Sequence, residues 1–235
     1  MSDAPIDLVL LPGLDGSDAL FEPLRHALPS SVRTHVVTLP DSGPNDYASI
    51  ARHIRDRLAG LRNPVILAWS FSGPVGIRLA ADPTIAPRAL ILASSFARNP
   101  HPYLRAFSVL VQPWLLAPFT YASRAKALLG GNSSPSLQSL LRRAHRGLTG
   151  RLLSQRVRAV LGVDDLETLS RLRLPVLYLR ASRDLVVPAS SGRLVAKACP
   201  QARVVELQGP HLSLATAPAA SAGAILEFLG GLGSS

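Results

Sequence analysis

An α/β fold, with a mostly parallel sheet and helices on both faces, is predicted by three observations. Short apolar runs bounded by glycine, proline or serine recur along the chain and read as buried strands. Helix-periodic stretches alternate with them, and strands separated by helices pair in parallel because each crossover returns the chain over the sheet. The 235 residues are 47% hydrophobic and 17% charged, enough for one core plus an insertion and unlike a disordered chain.

The first strand, Ile6 to Leu11, closes at Pro12 and Gly13, and Gly13 to Gly16 forms a loop. Ser17 or Asp18 is placed to cap a helix through Leu28. Val32 to Leu39 is the second strand. Asn45 or Asp46 starts an amphipathic helix to Leu61, with Ile50, Ile54 and Leu58 on one face and Arg52, Arg55 and Asp56 toward water. Val65 to Trp69 is a buried strand that stops at Ser70, and Gly73 to Ala81 continues as a helix packed beneath it. A serine at such a turn is presented outward, and the helix aims its partial positive charge at any anion forming beside the hydroxyl.

Arg88 to Ala93 is the fourth strand and ends at Ser94 and Ser95. Residues 98–172 then carry no strand-like run and read as a helical insertion or lid, leaving 1–97 and 173–235 as the core. The first half of the insertion is apolar and aromatic (Tyr103, Phe107, Trp114, Phe119, Tyr121). Its second half is basic (Arg142, Arg143, His145, Arg146, Arg151, Arg156, Arg158), and the plain expectation for it is a solvated face. The fifth strand, Pro175 to Leu179, leads to a loop ending at Pro188 and a helix from Ser190 to Ala198. Arg203 to Leu207 is the sixth strand, His211 lies in the turn after it, and Ala217 to Leu229 closes the chain.

Composition excludes several classes. A single cysteine, Cys199, rules out an internal disulfide framework or a multi-cysteine metal site and fits a reducing compartment. The N-terminus carries acids where a signal peptide carries lysines, so a cytoplasmic location is expected. The apolar stretch from Ala106 to Thr120 is broken by Gln112, Pro113 and Pro118 and falls short of a membrane span. Dispersed histidines and the lack of a glycine-rich phosphate loop predict no metal and no cofactor. The net charge of +10 attracts acidic partners, but without interleaved aromatics or a known module no nucleic acid is expected. Oligomeric state is left open.

An open parallel sheet places reactive groups beyond the carboxyl ends of its strands. Those ends present Pro12 to Gly16, Ser70, Ser94 with Ser95, Asp184 and His211. A hydroxyl is a weak nucleophile until an imidazole takes its proton, and the imidazole in turn needs a carboxylate to fix its tautomer. Ser70, Asp184 and His211 supply those parts in that chain order. The other histidines lie in surface-like helices (His26, His53), inside a strand (His35), early in the insertion (His101) or in the basic run (His145). Were Ser72 the nucleophile, Pro74 would stand two residues after it and stiffen the turn, so Ser70 is preferred.

These motifs resemble the α/β-hydrolase superfamily over nearly the whole chain. Ala68-Trp69-Ser70-Phe71-Ser72 resembles its nucleophile elbow, Ser182 to Pro188 its acid loop, and Gly209-Pro210-His211 its histidine loop. The resemblance implies a three-layer fold with a six-stranded sheet, as in a small esterase-like member lacking the first two antiparallel strands. It also implies an oxyanion hole from the backbone N–H groups of Leu14 and Phe71. Ala68 and Ser72 depart from the two glycines of the elbow, and Pro12 replaces the usual histidine. Asp15 has a loop-stabilising or a substrate-touching role, with the structural one favoured, while Trp69, Phe107 and Trp114 are candidate substrate contacts.

The function so implied is hydrolysis of an apolar carboxylic ester or thioester through an acyl-enzyme. Two alternatives are an esterase acting on acyl groups carried by acyl carrier protein or coenzyme A, drawn to the basic face, and a non-catalytic ligand-binding protein of the same fold. Lyase or peroxidase chemistry on the same three residues also stays open.

Overall fold

The apolar runs pair as one sheet in the computed structural model, which describes residues 5–105, 111–112, 125, 128–129 and 134–232. The strands are β1 (Ile6–Leu11), β2 (Val32–Val36), β3 (Val65–Trp69), β4 (Ala89–Ala93), β5 (Val176–Ala181) and β6 (Arg203–Leu207). Every pairing is parallel, in the order β2-β1-β3-β4-β5-β6, so the chain reverses its direction of progress across the sheet after β2. That switch point opens a crevice beside the carboxyl ends of β1 and β3.

Because strand side chains alternate between faces, the central strands feed two separate cores. Leu8, Leu10, Leu67, Trp69, Ile91 and Leu179 face α1 (Glu22–Ala27) and the C-terminal helix. Val9, Leu11, Ile66, Ala68, Leu92 and Tyr178 face α2 (Tyr47–Arg57) and α3 (Gly73–Ala80). The remaining α-helices with defined bounds among the described residues are α4 (Pro135–His145), α5 (Gly150–Gly162), α6 (Leu166–Ser170), α7 (Ala189–Ala198), α8 (Ser213–Thr216) and α9 (Pro218–Gly231). Asp46 caps α2 by accepting from the Ser49 N–H, and Ser134 and Thr149 cap α4 and α5 in the same way. Cys199 is a buried free thiol at the end of α7.

Several boundaries shift from the sequence reading: α2 stops at Arg57 short of Leu61, β5 runs on to Ala181, and two further shifts have a visible cause. β2 ends at Val36 because the chain bends toward the loop after β1, where the Leu39 N–H bonds the Gly16 carbonyl. The first helix opens as a 3-10 turn, Ala19–Phe21, because the Ser17 hydroxyl donates to Asp15 and caps nothing.

The segment between β4 and β5 leaves and re-enters the sheet at one pinned neck. There the Asn99 N–H bonds the Val163 carbonyl at 3.0 Å and the Asp165 N–H bonds the Ala97 carbonyl at 2.7 Å. Arg98 and Asp164 form an antiparallel bridge and an ion pair at 2.7 Å. Among the described residues no helix is long and apolar enough to cross a membrane.

Helix α3 lies so close to the sheet that a Cβ on Gly76 would stand 2.6 Å from the Cβ of Ala68 and 3.1 Å from Leu90 Cδ1. Gly76→Ala is therefore expected to destabilise the fold by about 1–3 kcal/mol through overpacking. Urea unfolding should show a lower midpoint at unchanged slope, with part of the loss recovered in Ala68→Gly/Gly76→Ala.

Candidate functional site

Ser70 stands between β3 and α3 with φ of 51°, a left-handed conformation that costs a non-glycine residue about 1–3 kcal/mol. The surroundings hold it there. Its carbonyl accepts the Gly73 N–H and the Ser95 hydroxyl, and the Ser95 carbonyl in turn accepts the buried Tyr178 hydroxyl at 2.7 Å. Burial, with the Asp184 charge nearby, keeps Tyr178 well above the ordinary tyrosine pKa, so it stays a donor. Gly73 permits the approach, since a Cβ there would collide with Ser95 Oγ and sit 2.8 Å from the Phe96 carbonyl. Ser72, the rival serine, is fully buried and donates to the Pro12 carbonyl.

The sharp turn presents Ser70 Oγ to His211 Nε2 at 2.8 Å, and His211 Nδ1 lies 2.8 Å from Asp184 Oδ2. A carboxylate only accepts hydrogen bonds, so the ring proton sits on Nδ1 and leaves Nε2 to accept from the serine. The other Asp184 oxygen takes the N–H groups of Val186 and Val187, each at 2.8 Å, which fixes the carboxylate plane. The His211 and Asp184 side chains are 2% and 5% exposed, so solvent barely competes with this chain of bonds. The histidine loop is braced where the Gly209 N–H bonds Ser182 Oγ and the Gly209 carbonyl accepts the Arg183 N–H.

The sequence profile of the alpha/beta hydrolase family matches residues 8–224. The chain belongs to that family, and it is an enzyme. A relative from a Caulobacter species that bears the name carbamate hydrolase RutD is 26% identical over 95% of this chain and 90% of its own. A Neisseria meningitidis serogroup B relative, named pimeloyl-(acyl-carrier protein) methyl ester esterase, is 27% identical over 94% and 92%. Among solved structures, the enol-lactonase from Burkholderia xenovorans superposes with a TM-score of 0.82 at 18% identity, covering 96% of this chain and 91% of that one. A thermophilic esterase from Thermogutta terrifontis gives 0.83 at 18%, over 97% and 91%. These structures share the fold.

In this alpha/beta hydrolase the loop after β1 lies beside Ser70, and the carbonyls of Pro12, Gly13 and Leu14 are engaged in hydrogen bonds. Pro12 bonds Ser72, Gly13 accepts the Gly16 N–H at 3.0 Å, and Leu14 accepts Arg156 Nη1 at 2.7 Å. A trans peptide directs its N–H away from its carbonyl, so the Leu14 N–H points back from the Gly13 carbonyl. Phe71 sits in the first turn after β3, where helix N–H groups lack internal acceptors.

Above Ser70 lies a cavity of about 290 Å³, lined by Leu14, Leu20, Trp69, Leu128, Leu153, Val157 and Leu212, with Asp15 and His145 as its polar wall beyond Ser70 and His211. Trp69 both lines this space and packs on Phe21, ring centroids 5.3 Å apart. Asp15 accepts the Ser17 N–H and hydroxyl, at 2.9 and 2.7 Å, while burial pushes its carboxyl above the ordinary value. It therefore combines the loop-stabilising role with a place in the wall. Phe107 and Trp114 lie outside the described residues. Among the described residues no group of three or more histidine, cysteine or acidic side chains could hold a metal ion.

One expectation needs correction. Arg156, assigned from sequence to a solvated basic face, is 1% exposed and hydrogen-bonded to three backbone and side-chain acceptors. The run misled because helical periodicity turns one of its arginines inward. Arg143 pairs with Glu22, and Arg158 bonds the Val111 carbonyl and Gln112. Ser95, Tyr178 and Asn45 were also missed, since their roles exist only through contacts distant in sequence.

Asp184→Asn should keep the fold, because the carboxamide oxygen can still accept from Val186 and Val187. Its NH₂ would then face Nδ1 and move the ring proton to Nε2. Hydrolysis of a nitrophenyl ester is expected to fall by about four orders of magnitude while the melting temperature shifts little.

Proposed function

We propose that the chain is a serine hydrolase that cleaves carboxylic esters or thioesters through an acyl-enzyme. The observation that carries this reading is the unbroken hydrogen-bond chain from Ser70 Oγ through His211 to Asp184, opening on an apolar cavity. Ser70 Oγ attacks the acyl carbon as its proton passes to His211 Nε2, and Asp184 stabilises the imidazolium. The Leu14 and Phe71 N–H groups take the tetrahedral oxyanion, and their bonds tighten in the transition state more than in the ground state. His211 returns the proton to the leaving oxygen or sulfur. A water molecule, activated by the same nitrogen, then releases the acid and regenerates Ser70.

The cavity's apolar lining and modest size support a small apolar acyl or alcohol group, with the helices between β4 and β5 as its cover. The names of the relatives, a carbamate hydrolase and a methyl ester esterase, agree with attack on a carbonyl bearing a heteroatom leaving group. A non-catalytic role leaves the strained Ser70 turn without a purpose.

Ser70 is expected to be labelled covalently by a fluorophosphonate, read as one added mass on the intact protein. Ser70→Ala should abolish the label and lower nitrophenyl acetate hydrolysis to near the buffer rate. An unlabelled parent protein, or a variant with parental turnover, overturns the assignment.

A second reading concerns how the acyl group arrives. One relative's name includes an acyl carrier protein, and among the described residues Arg142, Arg146 and Arg151 form no ion pair. These exposed cations, close in sequence to the lining residues His145, Leu148 and Leu153, support docking of an acidic carrier. Turnover of a carrier-linked ester should then fall steeply with added salt and drop in Arg142→Ser/Arg146→Ser, while a free nitrophenyl ester is unaffected.

A further inference from the structure

We infer that Arg156, on the helix α5 between β4 and β5, is the positioning residue of the oxyanion loop. The inference rests on the reading of Leu14 N–H as an oxyanion donor. The guanidinium spreads across three segments: Nε donates to Asn45 Oδ1 at 2.9 Å, Nη1 to the Leu14 carbonyl at 2.7 Å and Nη2 to the Pro40 carbonyl at 2.9 Å. The side chain is 1% exposed, and burial draws its pKa down to about 10 against the opposing pull of Asp15 and Asp41, so it is charged at neutral pH.

A buried cation whose hydrogen-bond acceptors are neutral is an expensive way to fill space, and a methionine or leucine would pack the same volume at lower cost. What the planar fork adds is direction. Three donors at fixed angles set the orientation of the Leu14–Asp15 peptide relative to Pro40 and Asn45, which an apolar side chain cannot do. Gly16 supplies an independent sign of the same design. It has φ of 76°, and a Cβ there would stand 2.7 Å from Arg156 Nη1 and 3.0 Å from Nη2, so the turn is shaped to let the guanidinium lie against it. Gly16 also donates to the Gly13 carbonyl, whose peptide carries the Leu14 N–H. Arg156 therefore braces the loop twice, directly at the Leu14 carbonyl and, by packing on Gly16, through the turn whose N–H holds the Gly13 carbonyl.

The consequence is a mechanical link. The helices over the cavity hold the nucleophile's oxyanion donor through one side chain, so a substrate that displaces α5 disturbs the donor, and one that seats α5 completes it. Leu128, in the same segment, also accepts the Leu212 N–H beside His211 at 3.2 Å, which ties the histidine loop to the same cover.

The test begins with the intact parent protein and a fluorophosphonate. If the parent is neither labelled nor able to hydrolyse nitrophenyl acetate, the serine hydrolase reading fails before Arg156 is at issue. With an active parent, Arg156→Met and Gly16→Ala are each expected to lower kcat about 10- to 100-fold with KM within about threefold, as a misplaced donor should. The inhibition constant of a trifluoromethyl ketone, whose adduct carries the oxyanion, should rise by the same factor, while that of the product acid stays unchanged. Arg156→Lys, which keeps the charge and reaches part of the acceptor set, should lie between parent and Arg156→Met, and it serves alone if Arg156→Met does not fold. Parental kcat in the folded variants, or a lower kcat with unchanged trifluoromethyl ketone affinity, overturns the inference and leaves Arg156 a structural residue only.

Discussion

The left-handed backbone of Ser70 is the constraint around which the molecule is arranged. A buried parallel strand that turns at once into a helix can present a side chain at its tip only if one residue adopts an unfavourable φ, and that cost must be offset by contacts that exist nowhere else. Gly73 and Gly76 supply space, bringing α3 against Ala68 and Ser95. Ser95 and Tyr178 supply hydrogen bonds from two further strands, so β3, β4 and β5 all contribute to one turn. A conformation fixed from that many directions cannot relax when a ligand leaves, and this is what preorganisation means for the proposed nucleophile.

Placed around that turn, the other groups are held by short, direct means. Asp184 is oriented by two consecutive backbone N–H groups of its own loop, and His211 by Asp184. The loop after β1 has its own turn, with the Gly16 N–H on the Gly13 carbonyl and Ser17 on Asp15. Its Pro12 and Leu14 carbonyls depend instead on Ser72 from the elbow and on Arg156 from α5, so the loop's full set of contacts forms only once the segment between β4 and β5 has packed. The pinned neck at residues 97–99 and 163–165 makes that packing reproducible, because both ends of the segment leave the sheet at one point.

The charges divide in the same way. Arg142, Arg146 and Arg151 contribute to a long-range positive field that salt screens. Arg156 is buried and Asp15 stands half-buried in the cavity wall; the Asp15 charge holds the Arg156 pKa up against burial, and hydrogen bonds with named partners determine the roles of both. Counting basic residues along the helices does not separate these two populations.

The fold and the central hydrogen-bond chain were legible in the amino-acid order because both depend on local signals. Strand runs, helix periodicity and turn residues are short-range, and a parallel sheet brings the residues at its strand ends together whatever the intervening length, so Ser70, Asp184 and His211 could be selected as neighbours before any coordinates. What the chain order could not disclose is which side chains become supports. Arg156 and Arg158 are two residues apart in one basic helix, yet one bridges Leu14, Pro40 and Asn45 in the interior and the other reaches Val111 and Gln112 at the surface. Ser72 and Ser95 look like ordinary small residues until the Pro12 and Ser70 carbonyls come within reach of their hydroxyls. Those assignments depend on the angle at which distant segments meet, and only the packed tertiary structure sets it.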